Sequence, residues 1–387
     1  MFQDKYVFAQ LVGFINRSKF NRIVTKYDGD KYVKHFTCWN QLLSLIFGQL
    51  SNRESLRDLI LALDAHHSKC YHLGMGKNVS KSSLARANQD RDYHIFEEYA
   101  YYLVNEARQK RALDIFKLGG NIYAFDSTTI DLCLSIFWWA KFRKKKGGIK
   151  VHTLYDVETQ IPAFFHITEA SVHDSTAMKE IPYESGSYYI FDRAYNHFRM
   201  LYKIHQIGAF FVVRAKKNLQ YKPIKWKRRL PMNIFSDATI ELTGFYPKQY
   251  YPEHLRLVRY WDEEQKRELV FLTNAIHISA IQVAELYKNR WQVELFFKWL
   301  KQHLKIKKFW GTSENAVRIQ IYTAICTYCL VAIVQKEMKL DRSTYEVLQI
   351  LSISLTDKTH LRDLFGKTKF QNDKERFRLN EPNLFDF

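Results

Sequence analysis

Over roughly the first 110 residues the apolar positions fall at helical spacing. Leu56, Leu59, Ile60 and Leu63 share one face, and Ser51-Asn52-Arg53-Glu54 before them has the residue types of a capping box. A loop with Gly74 and Gly76 follows. Ser80 or Ser82 then opens another helix through Leu84-Ala85-Arg86-Ala87-Asn88-Gln89. From Asn121 the period changes: 122–130, 149–155, 161–168, 188–191 and 209–214 are five short runs rich in β-branched and aromatic residues. Residues 156–160 are of hairpin length, and 199–207 read as a helix between the fourth and fifth runs.

Three antiparallel strands followed by a strand–helix–strand unit is the order of a ribonuclease-H-like mixed sheet, an α+β core in which the first and fourth strands lie side by side. Residues 216–274 break this order with shorter pieces at 239–243, 256–261 and 268–273, which predict a β-rich insertion. A long helix over about 279–305 returns to the core, with Leu286, Val293, Phe297, Leu300 and Leu304 as its buried stripe. A mostly buried helix over 317–334 and a polar helical tail close the chain. The expected organisation is a helical domain over 1–115, the mixed-sheet core over 116–215 and 275–335, the insertion at 216–274 and a helical tail over 336–387.

Charge narrows the partner. The 387 residues carry 59 Lys and Arg against 40 Asp and Glu, a net +19, and such an excess suits a polyanion. The longest apolar run, 319–334, is interrupted by Gln320, Thr323 and Thr327 and is short for a bilayer span, and no signal peptide is read at the start. Nucleic acid in the cytoplasm is therefore expected over a membrane surface. Eight basic residues and no acid lie between Arg214 and Arg229, with Tyr221 and Trp226 among them, so Lys225, Lys227, Arg228 and Arg229 are expected along a DNA backbone, as is Lys150 at the end of the 141–150 loop. Arg86, Asn88 and Gln89 are the side-chain types that read base edges, on a segment with helix–turn–helix character; a plain helical bundle with a solvated face is the alternative.

Five cysteines, odd in number and scattered, argue against a disulfide scaffold, and Cys326 and Cys329 lie in an apolar helix as buried thiols. His66, His67, Cys70 and His72, with Cys38 and His35, could ligate zinc, although their spacing fits no familiar finger. A stronger constellation lies elsewhere. Tyr287, Arg290, Glu294 and Lys301 are separated by three, four and seven residues, which at 3.6 residues per turn puts them on one side of one helix, with Lys298 beside them. Asp126 sits in the strand-like Tyr123-Ala124-Phe125-Asp126-Ser127-Thr128-Thr129, and Asp192 ends the run Phe191-Asp192-Arg193-Ala194-Tyr195. Asp126, Asp192 and Glu294 thus form a candidate triad for two Mg²⁺ ions, Asp126 bridging them, with Mn²⁺ as a substitute.

These residues resemble bacterial insertion-sequence transposases of the DDE type, in the insertion-sequence-four group, whose helix signature is Tyr-x2-Arg-x3-Glu-x6-Lys. Tyr287, Arg290, Glu294 and Lys301 match it in full. The blocks at Phe125-Asp126-Ser127-Thr128-Thr129, Gly148-Ile149-Lys150-Val151-His152, Val172-His173-Asp174 and Phe191-Asp192-Arg193-Ala194-Tyr195 are also similar, and Phe2-Gln3-Asp4 through Phe36, Leu50 and Ser82–Asn88 resemble the N-terminal domain of many members. The resemblance implies binding of terminal inverted repeats, metal-dependent nicking at the element's ends and attack of the freed 3′-hydroxyl on DNA, carried out by two protomers that pair two ends. It also implies that Tyr287, Arg290 and Lys301 hold DNA phosphates beside the metals. The place where one relative carries a base-supporting tryptophan falls near Leu269 here, with Trp261 and Phe271 the nearest aromatics. His173 and Asp174 fit either a supporting pair or a strand-end cap. A ribonuclease-H-like DNA nuclease without strand transfer is the alternative activity, and a non-enzymatic DNA-binding protein would be expected to lack an intact triad.

Overall fold

The computed structural model describes residues 5–366 except 78, 112–115, 144–145, 304–308 and 343, with 141–146, 302–303 and 345 described as backbone only. Its centre is a sheet of ten strands: β1 (Ile122–Leu132), β2 (Lys141–Arg143), β3 (Lys146–Asp156), β4 (Ile161–Glu169), β5 (Tyr188–Phe191), β6 (Phe210–Arg214), β7 (Tyr221–Trp226), β8 (Ile234–Leu242), β9 (Leu255–Asp262) and β10 (Arg267–Thr273). Their order is β2-β3-β1-β5-β6-β10-β9-β8-β7, with β4 also on β3. β1 runs antiparallel to β3 and parallel to β5, and β5 runs parallel to β6. This is the ribonuclease-H-like α+β arrangement, and the first and fourth expected strands are neighbours.

The register positions the acids. Phe125 pairs with Phe191 across β1 and β5, so Asp126 and Asp192 each follow the last paired residue of two adjacent parallel strands. Alternation along β1 turns Ala124 and Asp126 to one face of the sheet and Phe125 and Ser127 to the other. Phe125 enters the core formed with Tyr195, Leu201 and Phe211, whereas Ala124 joins the core that contains Val293 and Phe297.

The helices at the start of the chain share that second core. Helix Glu314–Glu337 is buried from Ala316 to Val334 except at Arg318 and packs against helices Cys38–Leu50 and His94–Arg111. Its length and composition would allow it to cross a membrane, but 94% of its most apolar window is buried inside the protein, including Cys326 and Cys329. Gln10 Nε2 donates to the carbonyl of Thr359 at 2.8 Å, tying the first helix to the last described turns.

Three local expectations change. The capping residue of helix Leu56–Ala65 is Ser55, whose side chain accepts from the Asp58 N–H at 3.1 Å; Ser51 closes the preceding helix, and the left-handed Asn52 (φ 63°) separates the two. Residues 216–274 extend the core sheet itself, because β10 pairs with β6 from Phe271↔Arg214 to Thr273↔Val212. The expected 279–305 helix is two, Ala280–Asn289 and Trp291–His303, joined at Arg290 with right-handed helical angles, so the stripe continues across the break through Leu286, Val293, Phe297 and Leu300; Leu304 lies outside the described residues.

A buried ion pair sets where this helix pair begins. Arg256 on β9 donates to Asp237 on β8 through Nε (2.8 Å) and Nη2 (2.7 Å), and through Nη1 to the carbonyls of Ala275 (3.1 Å) and Ile278 (2.6 Å). Ser279 follows as the cap, accepting from the Gln282 N–H while Gln282 Oε1 accepts from the Ser279 N–H, a complete capping box. Removing one partner of such a buried pair costs about 3–5 kcal/mol.

Candidate active site

Each acid is held by a donor from the helix pair. The Tyr287 hydroxyl donates to Asp192 Oδ1 at 3.1 Å. Arg290 spreads its fork over the other two, with Nη1 on Asp126 Oδ2 at 2.7 Å and Nη2 on Glu294 Oε1 at 2.5 Å. Asp126 Oδ1 also accepts the Ser127 backbone N–H at 2.8 Å. Tyr287 is buried, its ring 4.7 Å from that of Phe271 on β10, so the donor that reaches Asp192 is locked by packing.

The electrostatics are those of crowded acids around one cation. Burial pushes the Asp126 carboxyl up to about 6; Arg290 and the Ser127 N–H oppose this, while Glu294 and Asp192 add to it by repulsion. Burial works against the Arg290 charge, but Asp126, Tyr287 and Glu294 more than offset it and hold the guanidinium above its ordinary range. A groove with room of about 450 Å³ opens over Asp126, Thr128 and Glu294, bordered by Phe297, Lys298 and Lys301.

Among the described residues no three His, Cys, Asp or Glu side chains are gathered closely enough to hold one ion together. Arg290 bridges two of the acids and Tyr287 occupies the third. The donor set nevertheless fits a hard divalent cation: all three groups are carboxylates, the ligand type such ions take, and Asp126 is unfavourable as an anion unless positive charge stands beside it. A divalent ion bound there would neutralise charge on a scissile phosphate and ease deprotonation of the attacking hydroxyl.

Several expected DNA contacts are placed differently from one another. Lys298 is exposed on the helix, whereas Tyr287 and Arg290 point at acids. Lys150 was expected on DNA but turns inward: its side chain is 13% exposed, with Nζ 3.1 Å from Asp174 Oδ1 and donating to the Val172 carbonyl at 2.7 Å. Asn88 is likewise corrected, because its helix turns it into the core, where its Oδ1 accepts from Gln41 Nε2 at 2.8 Å; Arg86 and Gln89 on the same helix are exposed. Residues 221–230 are all exposed, with β7 the outer strand of the sheet, and Lys227 lies 3.2 Å from Asp237 with 55% of its side chain exposed.

The histidine–cysteine cluster does not assemble. Cys38 Sγ donates to the Gly29 carbonyl and Cys70 Sγ to those of Leu63 and His66, while His67 Nδ1 lies at the Asp64 carbonyl. Burial pushes the Cys70 thiol up, opposite to what a thiolate ligand needs. Trp261 stacks on Phe235, ring centroids 5.9 Å apart, and Leu269 is buried. Ser127 was not singled out along the chain, and Asp174 was open between a supporting residue and a strand-end cap; their side chains meet at 2.8 Å although 47 positions separate them. The Val172-His173-Asp174 step was the available signal.

Asp126 within β1 and Asp192 just past the parallel β5 stand side by side, with Glu294 brought over them by the helix pair that carries Arg290 and Lys298, an arrangement that suits a metal-dependent enzyme of polynucleotide phosphodiester chemistry. The model of the transposase DDE domain matches residues 117–330, and residues 3–76 match a domain of unknown function. The chain belongs to the DDE transposase family. It is 33% identical over 294 residues to "Putative transposase y4zB" of Sinorhizobium fredii, covering 73% of this chain and 78% of that protein. It is 26% identical over 249 residues to "Probable transposase for insertion sequence element IS5377" of Geobacillus stearothermophilus (64% of this chain, 66% of the relative). With "Putative transposase for insertion sequence element IS4SA" of Synechocystis it shares 24% over 291 residues (73% and 80%), which fits the insertion-sequence-four group. The protein is thus an insertion-sequence transposase, an enzyme that cleaves DNA with a divalent metal and transfers the strand.

Proposed function

We propose that Asp126, Asp192 and Glu294 are the catalytic carboxylates of this transposase and would hold Mg²⁺, two ions that would relieve charge on the scissile phosphate. The observation that carries this is that Tyr287, in the last turn of the first helix of the pair, and Arg290, at the joint that follows it, together reach all three acids. Binding falls to Lys298 and Lys301, which border the groove over Asp126 and Glu294, and to the exposed Lys225, Lys227, Arg228 and Arg229, which follow the DNA backbone from the outer strand and the turn after it. Tyr287 and Arg290 orient the acids, and they are the residues that would hold DNA phosphate beside a bound metal. The DNA is the element's terminal inverted repeats and a target duplex, met in the cytoplasm. Arg86 and Gln89 read the repeats, and two protomers pair two ends before cutting.

The test is cleavage by the full-length protein of its own element's ends with Mg²⁺, with products mapped and the protein concentration varied. The full chain is needed because helices Cys38–Leu50 and His94–Arg111 bury their apolar faces against helix Glu314–Glu337, which a fragment of residues 1–115 would lack. Cut and joined ends that form only when two ends are bound are expected. Cutting that is first order in protein on single ends contradicts the pair. Equal binding of repeat and scrambled DNA, unaltered in an Arg86→Ala/Gln89→Ala variant, contradicts end reading by that helix.

A further inference from the structure

Behind β1, on the face away from Arg290, lies a second charged group that the chemistry above does not use. Ser127 Oγ donates to Asp174 Oδ1 at 2.8 Å, and Lys150 Nζ lies 3.1 Å from the same oxygen while donating to the Val172 carbonyl at 2.7 Å. Ser127 faces His152 across β1 and β3, and Thr129 faces Lys150, so Ser127 and Lys150 project from the same side of the sheet. Ser127 is the pivot. Its hydroxyl is bound from behind by Asp174, and its backbone N–H donates forward to Asp126 Oδ1 at 2.8 Å.

A bond from the following N–H fixes a carboxylate only as well as that peptide is itself fixed. Most of β1 is held by strand pairing alone, whereas this one peptide is also tied by its side chain to an acid on another segment, the Asp174–Ala177 turn. Lys150 makes that tie sustainable, since it supplies the charge that lets Asp174 stay half-buried as an anion.

We propose that Asp174, neutralised by Lys150, is a positioning residue for Asp126: it fixes Ser127, and through the Ser127 N–H it orients the carboxylate that receives the metal. The inference rests on Asp126 being a catalytic acid. A mere anchor for the 172–177 loop would predict a loss of stability and nothing more. A positioning role predicts a change in the metal affinity of protein that is folded, because partners that orient a ligand are worth about 10–100-fold in metal binding or activity.

The experiment titrates Mn²⁺ alone into the full-length protein, reading free ion by electron paramagnetic resonance, and compares wild type with Ser127→Ala, Asp174→Ala, Lys150→Met and the double variant Asp174→Asn/Lys150→Met. Ser127→Ala and Asp174→Ala are expected to bind Mn²⁺ about 10–100-fold more weakly and to cut end DNA more slowly by a similar factor, with metal-free DNA binding unchanged. The double variant keeps an acceptor for the Ser127 hydroxyl and leaves no unpaired charge, so it should bind Mn²⁺ more tightly than Lys150→Met alone. Ser127→Ala removes one oxygen and decides the matter if Asp174→Ala fails to fold. Mn²⁺ affinity and cleavage within about twofold of wild type in Ser127→Ala would overturn the proposal. Failure of the underlying assignment looks different: Asp126→Ala would then bind Mn²⁺ like wild type, whereas failure of the positioning role alone leaves Asp126→Ala impaired and the rear variants unaffected.

Discussion

Arg290 and the run from Lys222 to Arg229 are both strongly cationic, yet they spend their charge in opposite directions. Arg290 has 15% of its side chain exposed and two carboxylates in its fork. Residues 222–229 stand fully on the surface of the outermost strand and the turn after it, where Lys227 touches Asp237 and still exposes more than half its side chain. The first kind of cation makes a cluster of acids tolerable and aims it; the second offers charge to a partner at high dielectric. Net charge therefore says that a polyanion is bound but not which cations bind it. Lys150 and Arg290 were indistinguishable from the others by residue type, and the fold turns both inward.

Replacing Arg290 by alanine breaks the comparison at its strongest point. End cleavage under single-turnover conditions should fall about 10²–10³-fold, the usual cost of removing one preorganised electrostatic group, with end binding changed far less. A loss of binding equal to the loss of cleavage would place Arg290 with the surface cations instead. Tyr287→Phe deletes only the donor to Asp192 and should slow cleavage about 10–100-fold. Wild-type rates in that variant would mean that packing on Phe271 alone positions Asp192.

Neutralising Lys225, Lys227, Arg228 and Arg229 together should do the reverse. Binding to specific and random DNA should weaken alike, and the slope of log K against log salt should flatten by about 0.9 for each phosphate that the protein no longer neutralises. The turnover of bound complexes should stay near wild type. An unchanged slope would show that this edge is merely solvated.

The smallest effect concerns a basic group that folding keeps neutral. Burial pulls His152 down to about 4 from an ordinary 6.5, with Asp174 opposing. Between those values the unfolded chain binds more protons, so this contribution is fully present above about pH 6.5 and is lost as pH falls toward 4, at most about 3 kcal/mol. Urea midpoints measured across that window for wild type and His152→Gln should converge at low pH; parallel curves would contradict the buried neutral ring.

How much of this could be read along the chain depends on the range over which each feature is determined. The five core strands, the stripe from Leu286 to Leu300 and the approach of Asp126 to Asp192 follow from local period and strand order, and they are where the pattern put them, whereas β2 and β7 were not read as strands. The spacing of Tyr287, Arg290 and Glu294 survives even the break at Arg290, because its backbone keeps helical angles. What escaped is what only tertiary pairing decides. Residue type could not say that Lys150 meets Asp174, that Asn88 meets Gln41, or that β10 returns to β6 and makes the insertion a continuation of the core. Ser51 misled because a serine that ends one helix and a serine that begins the next stand four residues apart with similar neighbours.

The central claim is that Asp126, Asp192 and Glu294 act together on one phosphodiester with divalent metal. Its most direct test follows Mg²⁺-dependent single-turnover cleavage of prebound end DNA by wild type and by Asp126→Ala, Asp192→Ala and Glu294→Ala, with binding recorded on the same complexes. Each variant should hold the ends nearly as tightly as wild type and show no cleavage. Near-wild-type cutting by any one of the three would contradict the account.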